Sequence, residues 1–293
     1  MKAIRKMTVI VSLVLLAQVV FAGATFEDVP LLVDSEWLEK NLDLNNLVIV
    51  DFGRSREDYE ASHVPGAVYV DRKAVYDTVD GINGMLPPPE LAIPHFEKAG
   101  INNDNVVVIY DAIGGLWASR LFWGLEAYGH NKVHLLDGGF PNWVAEGRRV
   151  SDEEPLVAGG TFRPNIREEL VADYEYIEAN LDTTDMQVID TRSLGEYSGE
   201  DVRAERGGHI PGAINIEWRL NIDESQKFLS VQELSEVYDS EDVDKSKTQI
   251  TLCQTGVRGA HTYFVLRYLG YDDVRLFDGS WLVWGNLADA PIE

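Results

Sequence analysis

The sequence predicts an α/β fold made of two tandem domains, each an open, mostly parallel sheet flanked by helices. Three observations carry that expectation. The chain repeats its own motifs, with an aspartate pair and a tryptophan pair both 141 residues apart. Each copy alternates short β-rich runs with helical patterns. The strand-like runs are continuously apolar, as parallel strands covered on both faces are. A length of 293 residues and a hydrophobic content of 45% give enough apolar material for about two cores.

Taken in order, residues 1–24 have the three parts of a secretory signal. Lys2, Arg5 and Lys6 precede an apolar run from Met7 to Phe21, and Ala22-Gly23-Ala24 closes it with small residues. The run is shorter than the ~20 residues of a spanning helix, which makes an uncleaved anchor the lesser alternative. Cleavage at Val20-Phe21-Ala22 or Ala22-Gly23-Ala24 would take the net charge from −24 to −27. The expectation is export, to a bacterial periplasm, with no stable membrane insertion.

Residues 25–150 form the first expected domain. Leu47 to Val50 is followed by Asp51, Arg54, Tyr59 and His63-Val64-Pro65-Gly66-Ala67. Val106 to Tyr110 reads as a buried parallel strand, Leu116 to Tyr128 as its crossover helix, and Gly129 as the stop. Leu136-Asp137-Gly138-Gly139-Phe140 and Trp143 complete the copy. The acidic, Pro- and Gly-containing stretch 151–164 reads as a linker.

Residues 165–293 repeat the order. Val188-Ile189 leads to Asp190, Arg192, Tyr197 and His209-Ile210-Pro211-Gly212-Ala213, and Phe277-Asp278-Gly279-Ser280-Trp281 with Trp284 answers the end of the first copy. Between them, Ile250 to Leu252 leads into Cys253-Gln254-Thr255-Gly256-Val257-Arg258, and a helical pattern runs from Ala260 to Leu269. Cys253 is the only cysteine. Placed at a strand's carboxyl end on a loop that opens a helix, a thiol faces unpaired N–H groups and the positive end of the helix dipole, which favour the thiolate nucleophile. The competing reading is an inert, buried small hydrophobe.

Several function classes are excluded or disfavoured. A net charge of −24 makes nucleic acid and anionic membrane surfaces poor partners, and any anionic substrate then needs a local positive pocket. One cysteine excludes an internal disulfide framework and multi-cysteine metal sites. His130 and His134 flank a turn rather than share a helix face, so no metal is expected.

These motifs, in this order, resemble the tandem two-domain rhodanese family of thiosulfate and 3-mercaptopyruvate sulfurtransferases, and are closest to bacterial thiosulfate sulfurtransferases. The resemblance implies two rhodanese-like domains, the first catalytically silent, with Asp111 at or near the position answering Cys253. It implies a sulfurtransferase without cofactor, working through a Cys253 persulfide. Gln254, Thr255, Gly256, Val257 and Arg258 would surround the substrate, with the Arg258 fork on sulfonate oxygens. Glu196, just before Tyr197, stands where mercaptopyruvate enzymes carry an arginine, which disfavours that donor. The partners implied are a small anionic sulfur donor, thiosulfate, and a thiophilic acceptor such as cyanide, a dithiol or a protein thiol.

Lesser expectations concern the flanking residues. His63, His209, Arg54 and Arg192 read as structural; Trp281 and Trp284 read as packing, with one of them a possible pocket wall. His261 reads as packing or solvent-facing, although its helix face could approach the site. Arg203 and Arg206 are candidates for drawing in an anion. Two rivals remain: a sulfur-carrier or binding module without turnover, and a phosphatase, disfavoured because four residues rather than five separate Cys253 from Arg258.

Overall fold

The computed structural model describes residues 29–293, so the expected signal segment, residues 1–24, lies outside the described residues. The first half starts with β1 (Leu32–Val33), α1 (Ser35–Asn41), β2 (Leu47–Phe52), α2 (Arg56–Ala61) and β3 (Val68–Val70). A small antiparallel hairpin, β4 (Asp77–Val79) and β5 (Ile82–Met85), then precedes α3 (Pro89–Lys98). β6 (Val106–Tyr110), α4 (Leu116–Ala127), β7 (Val133–Leu136) and α5 (Gly139–Ala145) finish the unit. Its sheet has the order β1-β7-β6-β2-β3 and is parallel throughout. Every residue of β6 is buried, as its unbroken apolar run requires.

The second half repeats this plan. It comprises β8 (Val171–Ala172), α6 (Tyr174–Asn180), β9 (Met186–Asp190), α7 (Leu194–Tyr197), β10 (Ile214–Asn215), α8 (Val231–Asp239), β11 (Thr248–Leu252), α9 (Val257–Tyr268), β12 (Val274–Phe277) and α10 (Ser280–Trp284). Read from β8, the sheet order β8-β12-β11-β9-β10 reproduces the first sheet strand for strand, again all parallel. Local chemistry sets the helix starts. Asp34, Ser55, Asp173, Ser193 and Ser230 each accept a backbone N–H of the first turn, and Ser193 and Ser230 form full capping boxes with Glu196 and Glu233.

No helix or strand lies between Ala145 and Glu168. The stretch is nevertheless fastened to the first half: Ser151 bridges His63, Phe162 is buried, and the N–H groups of Asn165 and Arg167 donate to Tyr128 and Ala127.

The halves are joined along α4 and α9, whose buried faces share one core; Phe122 meets Phe264 edge-on at 5.0 Å between ring centres. At one end Tyr263 donates to Glu126 at 2.7 Å, with Arg267 at 3.4 Å from the same carboxylate. A reciprocal clasp lies nearer the loops. Leu86 N–H, just past the hairpin, donates to Asp278 at 2.6 Å, and Phe228 N–H donates to Asp137 at 3.0 Å. Each half thus uses the aspartate of its Asp-Gly motif to hold an excursion of the other.

Candidate active site

β11 pairs with β9 so that Leu252 lies beside Asp190, and β6 pairs with β2 so that Tyr110 lies beside Asp51. Leu252 and Tyr110 are therefore equivalent, and the next residues, Cys253 and Asp111, occupy the same place in the two copies. Both lie at carboxyl ends of central strands, before a glycine in the left-handed region: Gly256 at φ +78° and Gly115 at φ +80°. Each glycine caps a helix, α9 or α4, so the helix begins at Val257, one turn earlier than the pattern from Ala260 suggests.

In the first copy the loop is occupied by its own aspartate. Asp111 Oδ1 accepts the N–H groups of Ile113 and Gly115 at 2.9 and 3.0 Å, and Oδ2 accepts those of Trp117 and Ala118 at 2.7 and 3.1 Å. Burial raises the Asp111 pKa, opposed by these four N–H donors. Such a cradle binds an anion. In the second copy the N–H groups of Gln254, Thr255, Gly256, Val257, Arg258 and Gly259 donate to no acceptor among the described residues. Cys253, buried to 1% exposure, sits at the base of that open cradle.

Cys253 is held through its backbone. Its N–H donates to Ser280 Oγ at 3.2 Å, and its carbonyl accepts Trp281 N–H at 2.9 Å. Beneath the loop, Arg120 from α4 is fully buried. It reaches Asp278 at 2.7 Å and the carbonyls of Val75 and Gly84, each at 2.9 Å. A β-carbon at Gly256 would come within 2.7 Å of Arg120 Nη1, so the loop leaves room for hydrogen only.

Arg258 projects beside the sulfur, with its two Nη atoms on the Glu196 carboxylate at 2.7 and 2.9 Å. Burial opposes the Arg258 cation, but Glu196 and the adjacent Cys253 sulfur outweigh it and raise its pKa. Burial likewise pushes Glu196 up, while the hydrogen bonds and charge of Arg258, with Ser193, bring its pKa down to about 2. The fork expected to bind sulfonate is thus engaged by a carboxylate, and Glu196 is present as part of a neutral pair rather than as a lone negative charge.

An open cleft of about 550 Å³ lies over the loop, lined by Gln254, Thr255, Val257 and Arg258. Its other walls are Tyr76, Leu116 and Trp117 from the first half, with Glu196, Arg203, Glu217, Trp218 and Arg219 from the second. Trp117 is the repeat counterpart of Arg258, so equivalent positions of both helices face one cleft. A larger groove of about 800 Å³ lies between β3, α3 and the linker, and contains no cysteine. Among the described residues there is no cluster fit to hold a metal and no helix long and apolar enough to cross a membrane.

The remaining predicted residues separate cleanly. Arg54 and Arg192 are buried braces on Asp51 and Asp190, at 2.6 and 2.5 Å. His63 and His209 stack on Tyr59 and Tyr197 and bond to the carbonyls of those tyrosines. Arg203 lines the cleft and pairs with Asp201 at 2.5 Å, with Glu196 at 3.4 Å. Arg206 does not reach it; its guanidinium donates to the carbonyls of Trp284, Leu287 and Ala290. Trp281 and Trp284 are core, not pocket wall. His261 lies at the boundary between the halves, 3.0 Å from the Gly114 carbonyl and stacked on Phe228. Sequence reading missed Tyr76, Trp117, Trp218 and Arg219; the repeat itself would have pointed to Trp117 through Arg258.

The family model for the Rhodanese-like domain matches residues 34–146 and 173–287. A thiosulfate sulfurtransferase of Pseudomonas aeruginosa is 35% identical over 270 residues, covering 92% of this chain and 99% of that protein. The sulfur carrier protein TtuD of Thermus thermophilus is 33% identical over 275 residues, covering 89% and 95%. Among solved structures, the 3-mercaptopyruvate sulfotransferase SseA of Escherichia coli superposes with a TM-score of 0.76 at 27% identity, covering 86% of this chain and 99% of that one.

Proposed function

The chain belongs to the rhodanese family with two tandem copies of its domain, and from that premise we propose that it is a thiosulfate sulfurtransferase acting through a persulfide on Cys253. The observation that carries this reading is the pair of equivalent loops. One is satisfied by the Asp111 carboxylate, while the other presents unpaired N–H groups around the only thiol. The Cys253 thiolate attacks the outer sulfur of thiosulfate. A new S–S bond forms, the old one breaks, and its electron pair leaves on sulfite. The loop N–H groups receive the negative outer sulfur of the persulfide. A thiophilic acceptor, cyanide or a thiolate, then attacks that sulfur and the electron pair returns to Cys253, so the kinetics are ping-pong.

Glu196, standing where mercaptopyruvate enzymes carry an arginine, and the likeness to relatives named thiosulfate sulfurtransferase support thiosulfate over mercaptopyruvate. The segment 1–24 supports action outside the cytoplasm, in the periplasm, after export. A non-turnover sulfur carrier is the second reading, favoured by the likeness to a protein named as a carrier.

Intact mass before and after thiosulfate tests the reading. One added sulfur atom is expected on the reduced protein, removed by cyanide and absent in Cys253→Ser. Loading once without turnover on cyanide would favour the carrier. No loading from thiosulfate, but loading from mercaptopyruvate, would replace the donor.

A further inference from the structure

The cleft must draw a dianion towards a protein of net charge −24, and two of its three arginines are already committed. Arg258 gives both Nη atoms to Glu196, and Arg203 lies against Asp201 and Glu196. Arg219 is different. It is exposed, lines the same cleft, and makes no ion pair with any described carboxylate. Its guanidinium carbon lies 5.0 Å from the centre of the Trp218 ring. Trp218 is buried to 5% exposure and packs edge-on against His261 at 5.2 Å, so the cation rests on a fixed platform.

Glu217 also lines the cleft and forms no ion pair. The lining charges are therefore three arginines against two glutamates, and the surplus positive charge disappears with Arg219.

We propose that Arg219 is a donor-binding residue, taking the sulfonate oxygens of thiosulfate at the mouth of the cleft while Arg258 stays paired with Glu196 beside the sulfur. This rests on the thiosulfate reading above. It separates two tasks: Arg258 sits beside the reacting sulfur, and Arg219 captures the charge of the donor. Because the sulfonate is charged in the bound donor and takes the electron pair of the breaking S–S bond in the transition state, the contact acts on binding and on sulfur loading together, both of which kcat/KM for thiosulfate reads.

The test uses the full chain and thiosulfate itself. In steady state with cyanide saturating, Arg219→Gln is expected to lower kcat/KM for thiosulfate about tenfold, while discharge of the preformed persulfide by cyanide keeps its rate; a tenfold change corresponds to about 1.4 kcal/mol. Arg219→Lys should recover most of the loss, and Glu217→Gln should raise kcat/KM. Calorimetric binding of thiosulfate to Cys253→Ser, with and without Arg219→Gln, reads the contact without turnover. Equal affinities, or no binding to Cys253→Ser at all, overturn the inference. Arg219-dependent binding in a protein whose Cys253 never gains sulfur upholds it and instead sinks the sulfurtransferase reading.

Discussion

Ser280 holds a φ of +51° where the first copy has Gly139 at +54°, a conformation that costs a residue with a β-carbon about 1–3 kcal/mol. What offsets that cost is its hydroxyl, which accepts Cys253 N–H and donates to the Phe277 carbonyl at 2.8 Å. Alanine would keep the strain and lose both bonds, whereas glycine would lose the bonds and the strain together. Ser280→Ala is therefore expected to lower stability by about 1–3 kcal/mol, and Ser280→Gly by distinctly less. Urea midpoints of the two variants check this; equal losses would mean that the backbone is relaxed at Ser280. The same residue shows a limit of sequence reading. Asp278-Gly279-Ser280 was visible as a repeat of Asp137-Gly138-Gly139, but nothing in it says that the serine hydroxyl holds the cysteine amide.

At the scale of elements, α4 and α9 determine more than their own stability. They begin at the two equivalent loops and pack against each other, which brings Trp117 and Arg258 to the same opening. Phe264 is fully buried there, 5.0 Å from Phe122 and 5.2 Å from Phe228 between ring centres. Phe264→Ala is expected to cost about 3–5 kcal/mol. Because the core it leaves is common to both halves, thermal unfolding should remain one transition at a lower midpoint; a calorimetric trace that splits in two would contradict the shared core. The parallel sheets, the repeat and the cysteine loop were legible because they follow from local apolar runs and from two copies checking one another. The cleft walls were not. Tyr76 and Trp117 join Trp218 and Arg219 only through packing of one half on the other, a contact that no local pattern encodes. For the same reason Trp281 and Trp284, aromatic and close in sequence to the loop, could not be told from pocket residues.

Over the whole molecule, buried histidines contribute to the response to acid. Burial lowers the pKa of His130 and of His261 to about 4, from an ordinary value of 6.5. The unfolded chain therefore binds these protons first, and stability falls as pH drops from about 6.5 towards 4, by up to ~3 kcal/mol for each histidine. Asp51 acts in the opposite sense, since burial raises its pKa to about 6, against its ordinary 3.8, and the folded chain takes up that proton first. His261→Gln should flatten the fall in urea midpoint between pH 7 and 4.5; an unchanged slope would show that His261 is already protonated or hydrated in the folded chain.

The Asp111 loop carries a longer consequence. From Asp111 to its helix cap at Gly115 it is one residue longer than the stretch from Cys253 to Gly256, and side chains of the other half cover it. Ile222 stands 2.8 Å from where a β-carbon of Gly114 would lie, and Phe228 stands 2.8 Å from that of Gly115. A single codon change from aspartate to cysteine would restore a thiol but neither the loop length nor an approach to it. Interlocking of this kind works as a ratchet: with the first half serving as a wall of the cleft over the Cys253 loop, a thiol at position 111 would need changes in both halves before anything could reach it.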